Sequence, residues 1–227
     1  MIGNSQTRLI LATALAASTA ANADEAGWFP DHPGDFAVRF VQYNIPLSDK
    51  TDQFDSTVKQ ISFGFNGAFG KRVKAGLFGG YSYLSQDDNV ATRGEQLDGW
   101  HAGMLFDVAV YQADRFGLNA GTRYMYQRVD EDNSPTQVEY TWSETSIYLA
   151  ANARVGSSLV FFGGINQVSA NGEQRIDGPV PDTTNFDNSK AGAFIGVDFE
   201  IEPRGHIGVM AETGLRTGGQ IYFMHRY

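Results

Sequence analysis

The sequence predicts an all-β fold: a ten-stranded antiparallel up-and-down barrel that crosses a membrane with its strands. Three observations carry that prediction. Apolar and polar residues alternate with period two over ten successive stretches, most of them near the ~9–11 residues a tilted strand needs to cross a bilayer. The connections between stretches are by turns tight and long, which trims one end of the sheet and lets loops project from the other. Aromatic residues gather at both ends of the apolar face, as two membrane interfaces would select.

Composition agrees. Of 227 residues 42% are hydrophobic and 19% charged, and the mean hydropathy is −0.29, too polar for a bundle of membrane helices. No stretch reaches the 18 or so consecutive apolar residues that a spanning helix needs. The 26 Gly, 16 Phe, 10 Tyr and 3 Trp suit a sheet with tight bends. The absence of cysteine excludes a disulfide scaffold, cysteine-ligated zinc and thiol catalysis. A net charge of −9 speaks against a nucleic-acid partner, because phosphate binding needs basic surface.

Residues 1–23 read as a secretory signal peptide, with Arg8 as the charged region, Leu9 to Ala17 as the apolar run, and Ala21-Asn22-Ala23 as the cleavage site before Asp24. Cleavage removes one basic residue and no acid, leaving 16 basic and 26 acidic residues, net −10. Residues 24–34 form a lead segment rich in proline (Trp28-Phe29-Pro30-Asp31-His32-Pro33), and residues 35–227 form the barrel.

The strands follow in order. Phe36, Val38 and Phe40 share the first strand's apolar face, with Arg39 on the other side. The second has Ile61, Phe63, Phe65 and Phe69; the third has Val73, Leu77, Tyr81 and Tyr83; the fourth runs from Trp100 to Val110. Phe116, Leu118, Tyr124 and Tyr126 mark the fifth, Ile147 and Leu149 the sixth, and Phe161 and Ile165 the seventh. Ile195, Val197 and Phe199 mark the eighth, Ile207 and Val209 the ninth, and Ile221, Phe223 and Tyr227 the tenth. The connections at 70–72, 112–115, 156–158 and 202–205 are tight, whereas 46–55, 85–96, 130–137 and 170–190 are long and polar. The ninth connection is expected at Gly218-Gly219. Both termini of the barrel are expected at the tight-turn end.

Facing follows from what each side carries. Phe63, Leu77, Met104, Leu118, Leu149, Ile195 and Val209 are expected in one outward belt. Tyr81, Trp100 and Tyr124 mark its loop end, and Phe69, Phe116, Phe161 and Phe199 its turn end. The other face carries glycines and charges of both signs, which suits a crowded lumen. Arg39, Lys74, Arg123, Arg154, Arg216 and Arg226 stand there against Asp107, Glu144, Asp198, Glu200 and Glu212. An unpaired buried charge costs several kcal/mol, so these groups are expected to pair across the lumen. A three-residue loop from Gly218 to Gln220 would set Glu212 opposite Arg226. Ten strands lie near the closed end of the size range, so no wide channel is expected.

The last strand ends on Ile221, Phe223 and Tyr227. It resembles the C-terminal signature of bacterial outer-membrane β-barrels, and departs from it at His225, where those proteins carry an apolar residue. With the signal segment, the ten stretches and the aromatic girdles, the chain resembles small outer-membrane barrels of the OmpA/OmpX kind. The resemblance implies a Gram-negative outer membrane, insertion by the barrel-assembly machinery, and contact with outer-membrane lipid and lipopolysaccharide. It does not fix an activity, because this fold hosts several.

The functional expectation is a structural or surface-interaction role, with a narrow polar passage as an open option, and neither catalysis nor a cofactor. The alternatives are an outer-membrane enzyme and a soluble periplasmic barrel that binds an apolar ligand. His101 is the one histidine expected to point inward; His32 lies in the lead, His206 beside a tight turn and His225 outward. Omptin proteases use Asp–His and Asp–Asp pairs at the outer mouth, and Asp87, Asp88, Asp130 and Asp132 stand near the level of His101, but no motif fixes them. A lipid A acyltransferase or deacylase needs serine beside histidine, and no serine accompanies His101 in a recognisable pattern. The acidic loops could hold Ca²⁺ or Mg²⁺, but they lack EF-hand spacing and read as solvated. No phosphate-binding loop, zincin or serine-hydrolase motif occurs.

Overall fold

The computed structural model describes residues 34–48, 53–86, 96–131, 137–178 and 181–227. Residues 1–33, which hold the signal segment with Ala21 and Ala23 and all of the lead from Asp24 except Gly34, lie outside these residues, as do Asp87, Asp88 and Asp132.

Ten antiparallel strands close a barrel in chain order. They are β1 (Gly34–Ser48), β2 (Gln53–Phe69), β3 (Val73–Gln86), β4 (Gln96–Gln112), β5 (Phe116–Glu131), β6 (Gln137–Val155), β7 (Leu159–Asp177), β8 (Asp182–Glu202), β9 (Gly205–Thr213) and β10 (Thr217–Arg226). β1 closes the ring against β10, with Asp35 opposite Arg226 and Asn44 opposite Thr217. The turns after β2, β4, β6 and β8 are short, and Gly70, Gly156 and Arg204 take positive φ in three of them. Both ends of the barrel lie beside these turns: Gly34 pairs with Gly67, and the Arg226 amide donates to Arg204 O at 2.8 Å.

The apolar belt faces outward. Ile195 is 68% exposed and Leu77 67%, and Phe63, Met104, Leu149 and Val209 are exposed with them; Leu118 is half-buried. Tyr81, Trp100 and Tyr124 edge the belt at the loop end, and Phe69, Phe116, Phe161 and Phe199 at the turn end. So large an apolar surface would aggregate in water and is stable in lipid. A soluble barrel with its apolar residues inside is therefore overturned. In β4 a bulge between Ala109 and Tyr111 turns both Val110 and Tyr111 outward.

Two expectations are corrected. The ninth turn is Gly214-Leu215-Arg216, and Gly218 and Gly219 lie inside β10, opposite Glu212 and Ala211. Glu212 therefore does not face Arg226. The chain reverses at Gly214, whose φ of 127° a side chain disfavours. The glycine pair instead gives β10 close contact with β1: a Cβ on Gly218 would meet Gln42 O at 2.2 Å.

The second correction concerns length. The polar stretch 170–190 is mostly strand, since β7 runs to Asp177 and β8 starts at Asp182; likewise β1 runs through Pro46 and Leu47 to Ser48. The reason is an inversion of polarity along single strands. In β6 the inward residues are Glu144, Ser146 and Asn152 within the belt, but Val138, Tyr140 and Trp142 beyond it. Outside the membrane the apolar side faces in and the polar side faces out, so these segments resemble loops in composition. β9 and β10 are short, and beyond their turn β8 reaches β1 directly, with Asn188 Nδ2 donating to Pro46 O at 3.0 Å.

Candidate functional site

The lumen gathers every charged residue expected there, in three levels. At the outer level the strand extensions bury a dry core. Tyr43, Ile45 and Leu47 of β1 meet Val58, Leu84, Leu97 and Val129 of β2 to β5, and Val138, Tyr140 and Trp142 of β6. Val168, Ala170, Phe186 and Leu215 complete it. Leu215 belongs to the β9–β10 turn, which folds inward under the extensions. At the same level Gln86 links Tyr140 to Ser56, at 2.8 and 2.7 Å.

Beneath that core sits an ion cluster. Glu144 accepts from Tyr43 Oη and Trp142 Nε1, both at 3.0 Å, and from Arg216 Nη1 at 3.2 Å. Arg216 Nη2 donates to Glu212 Oε2 at 2.9 Å, and the Arg216 guanidinium lies 5.3 Å from the Tyr43 ring centre. All of these side chains are buried. Glu212 thus finds its cation four residues along its own hairpin, not on β10. Tyr43 and Trp142 are not recognisable as partners from sequence, because each is an aromatic in an alternating pattern.

The middle level holds Phe78, Arg39, Arg123 and His101. His101 Nδ1 stands 2.8 Å from Ser82 Oγ, and Nε2 stands 3.0 Å from Ser62 Oγ. This corrects the expectation that no serine accompanies His101. Adjacent strands supply both: Ser82 on β3 and Ser62 on β2, two partners invisible to spacing along one segment. All three residues are buried, and among the described residues no carboxylate bonds to the ring. The arrangement is a satisfied polar bridge. Asp130 stands apart, 3.6 Å from Arg128 on the exposed extension.

At the tight-turn level Lys74 pairs with Asp35, which also accepts from Asn66. Asp107 accepts from Tyr148. Asp198 accepts from Tyr222 Oη and meets His206 Nδ1, each at 2.8 Å. His206 is therefore a second inward histidine, where only His101 was expected. Arg154, Glu200 and Arg226 are half-buried nearby, with no ion pair within 4.0 Å among the described residues. Asp35 was missed because it stands at the junction with the lead segment, before any alternation declares itself.

Glycines make this crowding possible. A Cβ on Gly121 would lie 2.4 Å from Tyr148 Oη, and one on Gly208 would lie 2.1 Å from Tyr222 Cζ. Each tyrosine reaches its aspartate across a strand that has no side chain at that point. Among the described residues no three His, Asp or Glu side chains gather as metal ligands. Ile221, Phe223 and Tyr227 point outward on the belt, with Tyr227 6.3 Å from the Phe65 ring.

No protein-family model matches the sequence, and no curated protein matches it. Among solved structures the barrel is similar to the translocator domain of the autotransporter NalP from Neisseria meningitidis, at 8% identity and a TM-score of 0.54, over 98% of this chain and 95% of that one. It is similar to the outer membrane protease OmpT from Escherichia coli at 8% identity and a TM-score of 0.48, over 93% and 100% of the two chains. It is also similar to Ail, the attachment invasion locus protein of Yersinia pestis, at 8% identity and a TM-score of 0.44, over 85% and 96%. At these identities the likeness is one of fold. With the closed ring and the exposed belt, the chain is a small barrel of the outer-membrane kind.

Proposed function

We propose that this protein is a non-conducting, non-enzymatic outer-membrane barrel that holds a rigid sheet above the membrane for a structural or surface-interaction role. The observation that carries this reading is the dry core of the strand extensions. A porin needs an aqueous path, and here Trp142, Tyr140, Leu84 and Val58 belong to one buried apolar cluster joining residues of β1 to β8. The same core stiffens β6, β7 and β8 beyond the belt, where Ser143, Ser169 and Ser189 present hydroxyls outward, bonded to Asn171 and to each other at 2.9 and 2.8 Å.

The rest of the reading follows from sequence. Residues 1–23 direct export, Ile221, Phe223 and Tyr227 engage the assembly machinery, and the belt and its girdles contact outer-membrane lipid and lipopolysaccharide. Catalysis is left out because His101 is buried and its two nitrogens are both occupied. The test is planar-bilayer recording on the purified, folded protein. No stable single-channel steps are expected, and reproducible ohmic steps would overturn the non-conducting reading.

A further inference from the structure

Arg39 and Arg123 are two lumenal guanidiniums that the ion network leaves out. Among the described residues neither has a carboxylate oxygen within 4.0 Å. Among the described residues Arg39 makes no side-chain hydrogen bond, and the one hydrogen bond of the Arg123 side chain goes to the Met125 sulfur at 3.6 Å. The nearby acids are engaged elsewhere: Asp107 by Tyr148, Asp198 by Tyr222 and His206, and Glu212 by Arg216.

Both cations stand near Phe78, Arg123 over its ring and Arg39 beside its Cβ. Arg123 Cζ stands 4.5 Å over Phe78. Arg39 Nη1 lies 2.7 Å from where a Cβ on Gly64 would be, and Phe78 Cβ lies 3.4 Å from that same point. Gly64 is thus the gap that admits the Arg39 head. Arg39, Phe78 and Arg123 all line a lumenal cavity of about 250 Å³. Arg216 Nε, a buried donor with no partner, belongs to the same wall. Phe162 on β7 and Phe194 on β8 also line it. Arg39 stands on β1 and Arg123 on β5, so the cavity wall carries guanidiniums and aromatic rings together; Asp107, Asp198 and Glu212 also line it, each already bonded to another side chain.

We propose that this cavity binds a small amphipathic organic anion, with its carboxylate or phosphate between Arg39 and Arg123 and its apolar body against Phe162 and Phe194. A guanidinium presents a planar fork that matches either oxyanion. Two like charges withdrawn from bulk water are costly without a counter-charge, and an anion supplies it. Small-molecule sites combine apolar wall with convergent polar groups, and here Phe162, Phe194 and Met210 share the wall with Arg39, Arg123 and Arg216. The dry core closes the outer end, so the ligand enters from the tight-turn end, where the cavity wall includes Arg226.

Calorimetric titration of the folded full-length barrel in detergent, referenced to empty micelles, tests this with phenyl phosphate, benzoate, inorganic phosphate and benzyl alcohol. Saturable one-to-one binding is expected for at least one aryl anion, about tenfold weaker or more for inorganic phosphate and undetectable for benzyl alcohol. The Arg39→Gln/Arg123→Gln double variant should weaken aryl-anion binding by about tenfold or more. Gly64→Ala, which displaces Arg39 without removing a charge, should weaken it too and serves if the double variant does not fold. No saturable binding of either aryl anion to the unaltered protein overturns the proposal, as does binding undiminished in a folded variant. Inorganic phosphate binding as well as the aryl anions overturns the aromatic half of the site, and benzyl alcohol binding as well as they do overturns the cationic half.

Discussion

Arg216 stands in a turn, yet it holds two buried carboxylates inside the barrel. Its removal would leave Glu144 and Glu212 buried without their cation, a kind of change that costs about 3–5 kcal/mol. Urea titration of Arg216→Ala in lipid vesicles should show a loss of that size; a loss under about 1 kcal/mol would place the cluster in water. Gly121 makes a second case. A methyl there would collide with Tyr148 and with the Asp107 carboxylate it serves. Overpacking of this kind costs about 1–3 kcal/mol, and Gly121→Ala should lower stability accordingly in the same titration. An unchanged midpoint would mean that the tyrosine has room to move. Neither residue announces its role in the sequence. Arg216 reads as one lumenal charge among several, and its partners depend on where the ninth turn falls.

At the scale of the strand, the controlling feature is the point where polarity inverts. Ile165 and Gln167 are neighbours on the outward face of β7. Ile165 is 64% exposed in the belt, whereas Gln167 donates to Ser189 Oγ at 2.8 Å above it. Arginine on a lipid face costs about 2–4 kcal/mol at mid-bilayer and about 0–1 near the interface. Ile165→Arg should therefore destabilise the vesicle-inserted barrel far more than Gln167→Arg. Equal effects would move the membrane boundary along β7. On the inward face of β6, Trp142→Ala opens the dry core and should cost about 3–5 kcal/mol, measured by the same unfolding. Alternation alone located ten strands, because period two survives the inversion. It misplaced their ends, because a polar outward face beyond the belt has the composition of a loop.

For the molecule as a whole, closure against an external apolar belt is the defining property. On a gel run in detergent, the unboiled protein should migrate as a compact species and shift after boiling. A single position under both conditions would argue against a membrane barrel. The sequence by itself determined the strand number, the two faces, the aromatic girdles and the end at which the tight turns lie. These are local properties, set by side-chain alternation and chain reversal within about 20 residues. It also selected the charges that enter the lumen, since facing is decided strand by strand. Which charge meets which was decided only by the closed ring. Register across ten strands brings Glu144 to Arg216, and Ser62 and Ser82 to His101. It brings both Arg39 and Arg123 near Phe78. A shift of one hairpin by a few residues, such as that between a turn at Gly218 and one at Gly214, exchanges those partners while leaving every face unchanged. Pairing inside a barrel is a property of the closed register, and no single strand contains it.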